Sequence, residues 1–478
     1  MPRCGVCNNK KASLYLQKLP QQAHETTSRA LLHGAFQAAL QAADPSYAIP
    51  KFLKQLFPQG IRGRCIVIGA GKASASMADA LERYALVHWP QAILSGLVIT
   101  RYGHDVQRPL PDRKIVICEA AHPVPDEAGL QATKNLLHIV QELQKDDQLL
   151  VLISGGGSSL LTLPVAEISM SDLKSLTQEL LRSGAPIEAM NVVRKHISAI
   201  QGGNLGRLAV RAGAKVDALI ISDVTGDQPG DIASGPCAVD DSTFQDALNI
   251  LDRYQIGPGV APASILDYLK KGTIGQAPET LKRDEPESLM VRNHVIATSM
   301  QSLLAAQKYC LEHGAQVHIL GDQITGEAAQ VARDQLEIVR GYVEQNQNKD
   351  FVDRPGKFRR QVFISGGETT VTIPQGVVGR GGRCAEFLLA LYTHSKALVG
   401  LSALAADTDG IDGSEENAGA FFDQEIIQNA NSLQLDEKTY LEAHDAYGFF
   451  LEVGGLVHTG PTLTNINDFR ILMLESHG

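Results

Sequence analysis

LLVLISGGGSSLL, residues 149–161, is an apolar run that ends abruptly at three glycines and two serines. Apolar residues without polar alternation predict a strand that is covered on both faces, as in a parallel sheet. Glycines let the backbone adopt positive φ and bring its N–H groups close to a ligand. The stretch therefore predicts a strand and a loop suited to an anion such as phosphate or carboxylate. The candidate binding residues of this loop are Ser154, Gly155, Gly156, Gly157, Ser158 and Ser159.

The alternative is a glycine-rich turn that only connects a strand to a helix, because no Lys-Ser/Thr pair of a Walker motif follows. A second copy of the pattern favours the binding interpretation. Residues 361–374, QVFISGGETTVTIP, again place Ser-Gly-Gly after an apolar run. Two such loops far apart in the chain predict two α/β units whose strand ends face one cleft. The candidate binding residues of the second loop are Gly366, Gly367 and Glu368.

The chain is 478 residues long, which is enough for two or three domains with cores of their own. Strand-like runs alternate with helical patterns in the first half, as in a doubly wound, mostly parallel, Rossmann-like sheet. The composition shifts to Lys, Gly, Pro and Glu near residues 269–288, which indicates a domain boundary. We predict an α/β fold with an N-terminal domain over 26–285 and a C-terminal α/β domain over 286–478. The second domain is expected to open with the strand 291–297, and residues 1–25 are expected to be weakly ordered.

Charge and hydropathy disfavour two classes of protein. The formal net charge is −10 at pH 7, and a nucleic-acid binder needs a basic surface. No apolar segment approaches the length that crosses a bilayer, and no signal-peptide hydrophobic region opens the chain. We therefore expect a cytoplasmic protein without nucleic-acid or membrane partners. The N-terminal segment is basic and lacks acidic side chains, so organellar targeting stays open, as does the oligomeric state, with a homodimer as one option.

Seven cysteines are scattered along the chain, several of them inside apparent strands or apolar surroundings. This usage is typical of reduced thiols in an intracellular protein. Cys4 and Cys7 form the one close pair, and a zinc site would need a second pair or histidines at a recognisable spacing. A zinc site is therefore not predicted.

A further glycine turn lies in residues 64–85, RCIVIGAGKASASMADALERYA. An apolar run breaks at Gly69 and Gly71 and a helix follows, an arrangement that cradles phosphate at the helix N-terminus. Lys72 adds a mobile cation in this turn, where it can meet a phosphoryl group. A solvated lysine is the alternative, which the positive end of the helix disfavours. The spacing matches a dinucleotide fingerprint only in part, because Ser74 replaces the third glycine and no acid ends the next strand.

Basic residues recur at two other places. Arg194 and Lys195 lie near the start of a predicted helix and form a local basic patch, with an ordinary solvated helix face as the alternative. Arg383 lies in GVVGRGGRCAE, residues 376–386, where glycines present it to the cleft. Its rigid fork suits phosphate or carboxylate. The same stretch supplies two further candidate binding residues, Gly382 and Glu386.

Carboxylates follow two more predicted strands. Asp223 and Asp227 come after the apolar run that begins at Ala218, and Asp407 and Asp409 come after the run that begins at Leu401. Carboxylates at strand ends are plausible ligands of Mg²⁺, which binds one or two of them together with substrate phosphate. They are also ordinary turn formers.

The motifs occur in the order of a known family: VIGAGKAS (67–74), ISGGGSSLL (153–161), VRKHISAIQGGNL (193–205), SDVTGDQPGDIASGP (222–236), SGGETTVTI (365–373), GRGGRCAEF (379–387), DTDGIDGSEENAGA (407–420) and HTGPTLTNIND (458–468). Together they resemble the class II glycerate kinases, whose C-terminal part is called the MOFRL domain. The resemblance covers nearly the whole chain from about residue 26. It implies that ATP and Mg²⁺ are used to phosphorylate D-glycerate to 2-phosphoglycerate in a cleft between the two domains. It also marks Lys72 and Arg383 as catalytic residues.

This chain departs from the family at the arginine motif. The family usually continues that motif with Asn-Gln-Glu, whereas Cys384 and Ala385 precede Glu386 here. Any polar contact made by the amide pair is therefore lost, which bears on substrate preference.

These residues predict a phosphoryl transfer in which the protein positions two oxygens and neutralises charge. Lys72 and Arg383 stabilise the transferring group, and Asp409 or Glu368 assists deprotonation of the acceptor hydroxyl. The predicted Mg²⁺ ligands are Asp223, Asp227 and Asp407. An NAD(P)H-dependent hydroxypyruvate reductase and a non-catalytic binder of sugar acids or nucleotides are the alternatives.

Overall fold

The computed structural model describes residues 27–224, 226–346, 359–374, 379–396 and 398–476. The segment 1–25 and the Cys4/Cys7 pair lie outside these ranges. Within them, no helix combines the length and the hydropathy that crossing a membrane requires.

The first sheet has six strands: β1 (Gly63–Ala70), β2 (Ala92–Arg101), β3 (Ile115–Ala120), β4 (Gln148–Ile153), β5 (Lys215–Ile221) and β6 (Val291–Ala297). All neighbouring strands are parallel, in the order β3-β2-β1-β4-β5-β6. The winding direction therefore reverses between β1 and β4, and ligands of open α/β sheets bind at such a switch point. The predicted doubly wound, Rossmann-like sheet is confirmed.

The helices of the first half are α1 (Ser28–Ala43), α2 (Pro45–Leu56), α3 (Ser74–His88), α4 (Glu127–Gln141), α5 (Gly157–Leu160), α6 (Met170–Arg182), α7 (Ile187–His196), α8 (Asn204–Arg211), α9 (Phe244–Arg253) and α10 (Ala263–Thr273). Of these, α2 and α3 cover one face of the sheet and α4 and α8 cover the other, while α6, α7, α9 and α10 share a core of their own. Alternate residues of a strand point to opposite faces. In β1, Ile68 packs in one apolar layer with Leu136 of α4, and Val67 packs in the other with Met77 of α3.

The second sheet is mixed. Its strands are β7 (Gln316–Gly321), β9 (Arg359–Gly367), β11 (Leu401–Asp407), β12 (Gly419–Phe422), β13 (Leu456–Val457) and β14 (Asp468–Ser476). Their order is β13-β12-β11-β14-β9-β7, and all neighbours are antiparallel except β7 and β9. A separate parallel pair joins β8 (Gly326–Glu327) to β10 (Thr369–Thr370). The helices of this half are α11 (Ser299–Glu312), α12 (Ala328–Asn346), α13 (Arg383–Ser395), α14 (Gln424–Ser432), α15 (Glu437–Glu442) and α16 (Ala446–Val453).

The predicted boundary at 285/286 assigns two elements to the wrong half of the molecule. β6, expected to open the second domain, pairs with β5 in the first sheet, where Arg292 and His294 both bind the buried carboxylate of Asp217. α1, expected in the first domain, packs on the second sheet, because its apolar stripe joins the core around Phe363. The composition shift near residues 269–288 marks surface turns between α10 and β6 rather than a change of core.

Candidate active site

The turns after β1 and β4 pack tightly against each other at the switch point. A Cβ at Gly69 would overlap the carbonyl oxygen of Leu152, and a Cβ at Gly71, where φ is 144°, would overlap Ser154. The Ser154 hydroxyl accepts the backbone N–H of Ala73 at 3.0 Å, just before α3 begins. These glycines therefore allow the close approach of two strand ends that share a ligand-binding edge.

Hydrogen bonds within these turns correct the prediction that their backbone amides are free to bind an anion. The amides of Gly71, Lys72, Ser154 and Gly157 donate to carbonyl oxygens within the protein, at 2.8 to 3.3 Å. Because these donors are used, they do not form an open nest for an anion. The side chain of Lys72 and the later part of the loop after β4 remain directed toward ligand space.

Lys72 connects the two halves of the molecule. Its Nζ lies 3.1 Å from Oδ2 of Asp409, which follows β11 of the second sheet. The two side chains are 17% and 9% exposed, so the ion pair is largely shielded from water. The prediction that strand ends of both halves converge on one cleft is confirmed.

Arg383, the first residue of α13, lies among carboxylates of the second sheet. Its Nε is 2.6 Å from Asp468 Oδ1 and its Nη2 is 2.7 Å from Asp407 Oδ2, while Nη1 lies 3.5 Å from Glu368 Oε1. Burial opposes the charge, but Asp468 and Asp407 outweigh it and raise the pKa of Arg383. The guanidinium is thus fixed in one plane, permanently charged, with a quarter of the side chain exposed.

A short hydrogen-bonded path links the two cations. The backbone N–H of Asp409 donates to Asp407 Oδ1 at 3.0 Å, and Asp407 in turn binds Arg383. Burial, together with the neighbouring charge of Asp409, raises the pKa of Asp407 well above its usual value. Lys72, Asp409, Asp407 and Arg383 therefore form one continuous charged wall that both sheets build.

Asp223 lies at the base of the cleft beneath the loop after β4. A Cβ at Gly155 would overlap its carboxylate, so only glycine fits there. The carboxylate receives one long contact, from Asn465 Nδ2 at 3.4 Å. Burial raises the pKa of Asp223 to about 6, although Lys72 acts in the opposite direction. Asp223 is thus a partly buried carboxylate whose charge a bound cation would stabilise.

The three predicted metal ligands do not come together. Asp223 and Asp227 line one small cavity of about 10 Å³, whereas Asp407 is bound by Arg383. Among the described residues, no group of three or more His, Cys, Asp or Glu side chains is arranged to hold a metal. Mg²⁺ takes only one or two protein carboxylates beside substrate phosphates, so Asp223 and Asp227 still fit this ion.

Several predicted binding residues are used inside the protein. The ammonium of Lys195 is 6% exposed and lies 3.4 Å from Asp240, and the carboxylate of Glu386 binds His444 Nδ1 at 2.9 Å. Gly366 and Gly367 belong to β9 and pair with β14, so the second Ser-Gly-Gly sequence is a strand end and not an open loop. A Cβ at Gly382 would overlap Asp412. We leave these five residues out of the site proposed below.

Two functional positions were not singled out from the sequence. His122 follows β3, and a Cβ at Gly156 would lie 2.9 Å from its ring and 3.4 Å from Lys72 Cγ. Burial, followed by the charges of Lys72 and Arg101, lowers the pKa of His122 to about 4, so the ring is neutral at pH 7. A signal in the sequence is the unusual His-Pro-Val-Pro run that begins at this residue.

Asp412 is the second such position. Its carboxylate accepts the backbone N–H groups of Cys384 and Ala385 at 2.9 and 2.8 Å, at the first turn of α13. The residues that replace the Asn-Gln pair therefore contact the protein through their backbone, and both side chains are buried. Asp412 orients the helix that begins with Arg383.

Arg194, Ser158 and Ser159 line a pocket of about 20 Å³ beside the loop after β4. No carboxylate of the described residues pairs with Arg194, and burial lowers the pKa of its guanidinium. In the run of basic residues 194–196, Arg194 is therefore the one whose charge no carboxylate of the described residues compensates.

Comparison with known proteins gives consistent matches over the chain. A family model described as a domain of unknown function, DUF4147, matches residues 31–270, and the MOFRL family model matches residues 361–468. A protein of Agrobacterium vitis named "Putative hydroxypyruvate reductase" is 42% identical over 94% of this chain and 95% of its own.

Two kinases match over similar lengths. The glycerate 2-kinase of Pyrococcus horikoshii is 37% identical over 92% of this chain and 95% of its own. The crystal structure of a glycerate kinase from Thermotoga maritima has a TM-score of 0.78 at 32% identity, covering 93% of this chain and 98% of that one. The chain belongs to the family of glycerate kinases that carry a C-terminal MOFRL domain.

Proposed function

We propose that this protein is a glycerate 2-kinase, which transfers the γ-phosphoryl group of ATP to the 2-hydroxyl of D-glycerate. The observation that supports this most directly is the wall of Lys72, Asp409, Asp407 and Arg383, in which cations from both sheets meet in one cleft. Phosphoryl transfer asks a protein mainly to position oxygens and to neutralise spreading charge. Two shielded cations on a rigid framework meet that demand.

In the proposed reaction the acceptor hydroxyl oxygen forms a bond to the γ-phosphorus of ATP. The bond from that phosphorus to the oxygen bridging the β- and γ-phosphates breaks, and ADP leaves with the electron pair. Lys72 and Arg383 neutralise the charge on the transferring group. The hydroxyl proton passes to a carboxylate of the cleft, for which Asp409 and Glu368 are the candidates. 2-Phosphoglycerate and ADP are the products.

Mg²⁺, when bound, neutralises phosphate charge and orients the transferring group. Asp223 and Asp227 would hold it, because they line one cavity and no salt bridge to Asp223 is formed among the described residues. Asp407 is left out of this role, since its carboxylate is bound by Arg383. The cytoplasmic location and the homodimer option stay predictions.

The hydroxypyruvate reductase alternative is less favoured by the turn after β1. A dinucleotide pyrophosphate would have to approach the backbone at the start of α3. There the Ala73 amide is bound by Ser154, and Gly71 packs against the same side chain. The turn is closed by the protein's own loop.

The decisive experiment supplies the purified protein with ATP, MgCl₂ and D-glycerate. We expect ADP release and a phosphorus NMR signal of the 2-phosphate. Chelation of the metal with EDTA is expected to abolish turnover, and added Mg²⁺ to restore it. NADH with hydroxypyruvate should show no absorbance change. Oxidation of NADH without ADP release from the kinase mixture would overturn the proposal.

Gly155→Ala is expected to lower kcat/KM by about 100-fold, because the added Cβ forces the Asp223 carboxylate out of place and a shift of about 1 Å is costly in a catalytic site. Gly341→Ala is the matched control, since a Cβ there meets open space in the exposed part of α12. Steady-state kinetics and the melting temperature should be measured for both. Unchanged kinetics in Gly155→Ala would show that the position of Asp223 does not matter.

A further inference from the structure

The pocket around Arg194 lies between three helices near the switch point. Ser158 and Ser159 of α5 form one wall, Leu173 and Thr177 of α6 a second, and Arg194 in the last turn of α7 a third. Its cavity volume of about 20 Å³ is enough for about one water-sized group. The pocket therefore suits a group the size of a carboxylate and not a whole nucleotide.

Charge distinguishes this pocket from its surroundings. The next two residues of α7 are neutralised by the protein, since Lys195 pairs with Asp240 and His196 Nε2 lies 3.0 Å from Glu279. Arg194 has no such partner among the described residues, and burial of its charge is unfavourable. An anion in the pocket would compensate the guanidinium, and a carboxylate matches its planar fork.

The pocket lining provides both shielding and hydroxyl groups. Leu163, Pro164 and Ile197 form an apolar part of the wall, which strengthens an ion pair by excluding water. The hydroxyls of Ser158 and Ser234 share a hydrogen bond of 2.9 Å, and Ser234 also binds Asn191 Oδ1 at 3.1 Å, so Ser158 Oγ offers its remaining lone pair to a hydroxyl of the ligand. An acid with hydroxyl groups is the chemistry that matches these walls.

The loop after β4 connects this pocket to the charged wall of the cleft. Gly156 lies against Lys72 and His122, and Ser158 lines the pocket. The step of two residues between them spans at most about 7.6 Å. The loop therefore joins the pocket of Arg194 to the turn that carries Lys72.

We infer that this pocket binds the carboxylate of the acceptor, with Arg194 as its counterion and as the residue that selects acids over neutral polyols. This inference rests on the proposed kinase function, which it makes more specific.

The test uses Arg194→Met and Arg194→Lys, with Arg182→Met as the matched control, because Arg182 of α6 is 70% exposed and pairs only with Glu179. In Arg194→Met we expect the KM for D-glycerate to rise by about 10- to 100-fold, the loss typical of a charged hydrogen bond. The KM for ATP should be unchanged, and Arg194→Lys should recover part of the affinity. The preference for D-glycerate over glycerol should fall.

Calorimetric binding of D-glycerate without ATP separates this inference from the proposed function. Binding by the wild type and loss of binding in Arg194→Met would support the inference even if no ADP is released. A rise in the KM for ATP alone, or unchanged constants for both substrates, would overturn it. The melting temperature gives the second readout, because removal of an unpaired buried charge should not lower it, whereas a purely structural role would.

Discussion

Lys72→Met is expected to lower kcat by about three orders of magnitude while the protein stays folded, the scale seen when a preorganised charge is removed from a phosphoryl-transfer site. Methionine keeps the hydrocarbon stem of the side chain and removes the ammonium. The melting temperature should fall as well, because Asp409 then loses its counterion in a shielded place. Wild-type turnover in this variant would remove Lys72 from the mechanism.

The control for this variant is Lys51→Met, which removes an exposed lysine of α2 and the same unit of charge. Its kcat and both KM values should equal those of the wild type. A similar loss in both variants would point to a general effect of charge on the protein and not to a role of Lys72 at the transferring group.

Arg383→Met is expected to reduce both turnover and stability. Turnover should fall by about three orders of magnitude, as for Lys72, because the cation is removed. The free energy of unfolding should fall by about 3 to 5 kcal/mol, because Asp407 is left buried without Arg383 and Asp468 retains Arg470 but loses its second cation. Denaturant unfolding and steady-state kinetics measure the two effects.

Arg383→Lys separates the two effects. Lysine keeps the charge but cannot bind Asp468 and Asp407 at once with a planar fork. We expect it to recover most of the stability and little of kcat. Arg380→Met, three residues earlier in the same loop, is the control, since Arg380 lies over the Tyr447 ring at 4.7 Å. Full activity in Arg383→Lys would reduce the role of Arg383 to a structural one.

Local patterns were sufficient for much of the site. The apolar runs before Gly69 and Gly155 predicted buried parallel strands, and β1 and β4 are buried neighbours in the first sheet. Lys72 was predicted from its place in a turn, and Arg383 from the glycines before it. These features depend on residues adjacent in the chain, which is why their pattern is visible without a structure.

Partners distant in the chain were not predictable in the same way. Arg194 and Lys195 are neighbours with similar chemistry, yet only Lys195 meets a carboxylate, because Asp240 reaches one side of α7. His122 became part of the cleft because Gly156 lacks a side chain and leaves room for the ring. β6 pairs with the first sheet although the composition changes just before it.

The sequence by itself determined which strands are buried, where glycines end them and which cations follow, since backbone conformation and apolar pattern are local properties. Only the tertiary structure decided which charged side chains pair with other residues of the protein and which remain available to a ligand. The reason is energetic: a buried charge takes whatever counterion the packing of remote segments brings within a few ångströms, and no local pattern specifies that neighbour.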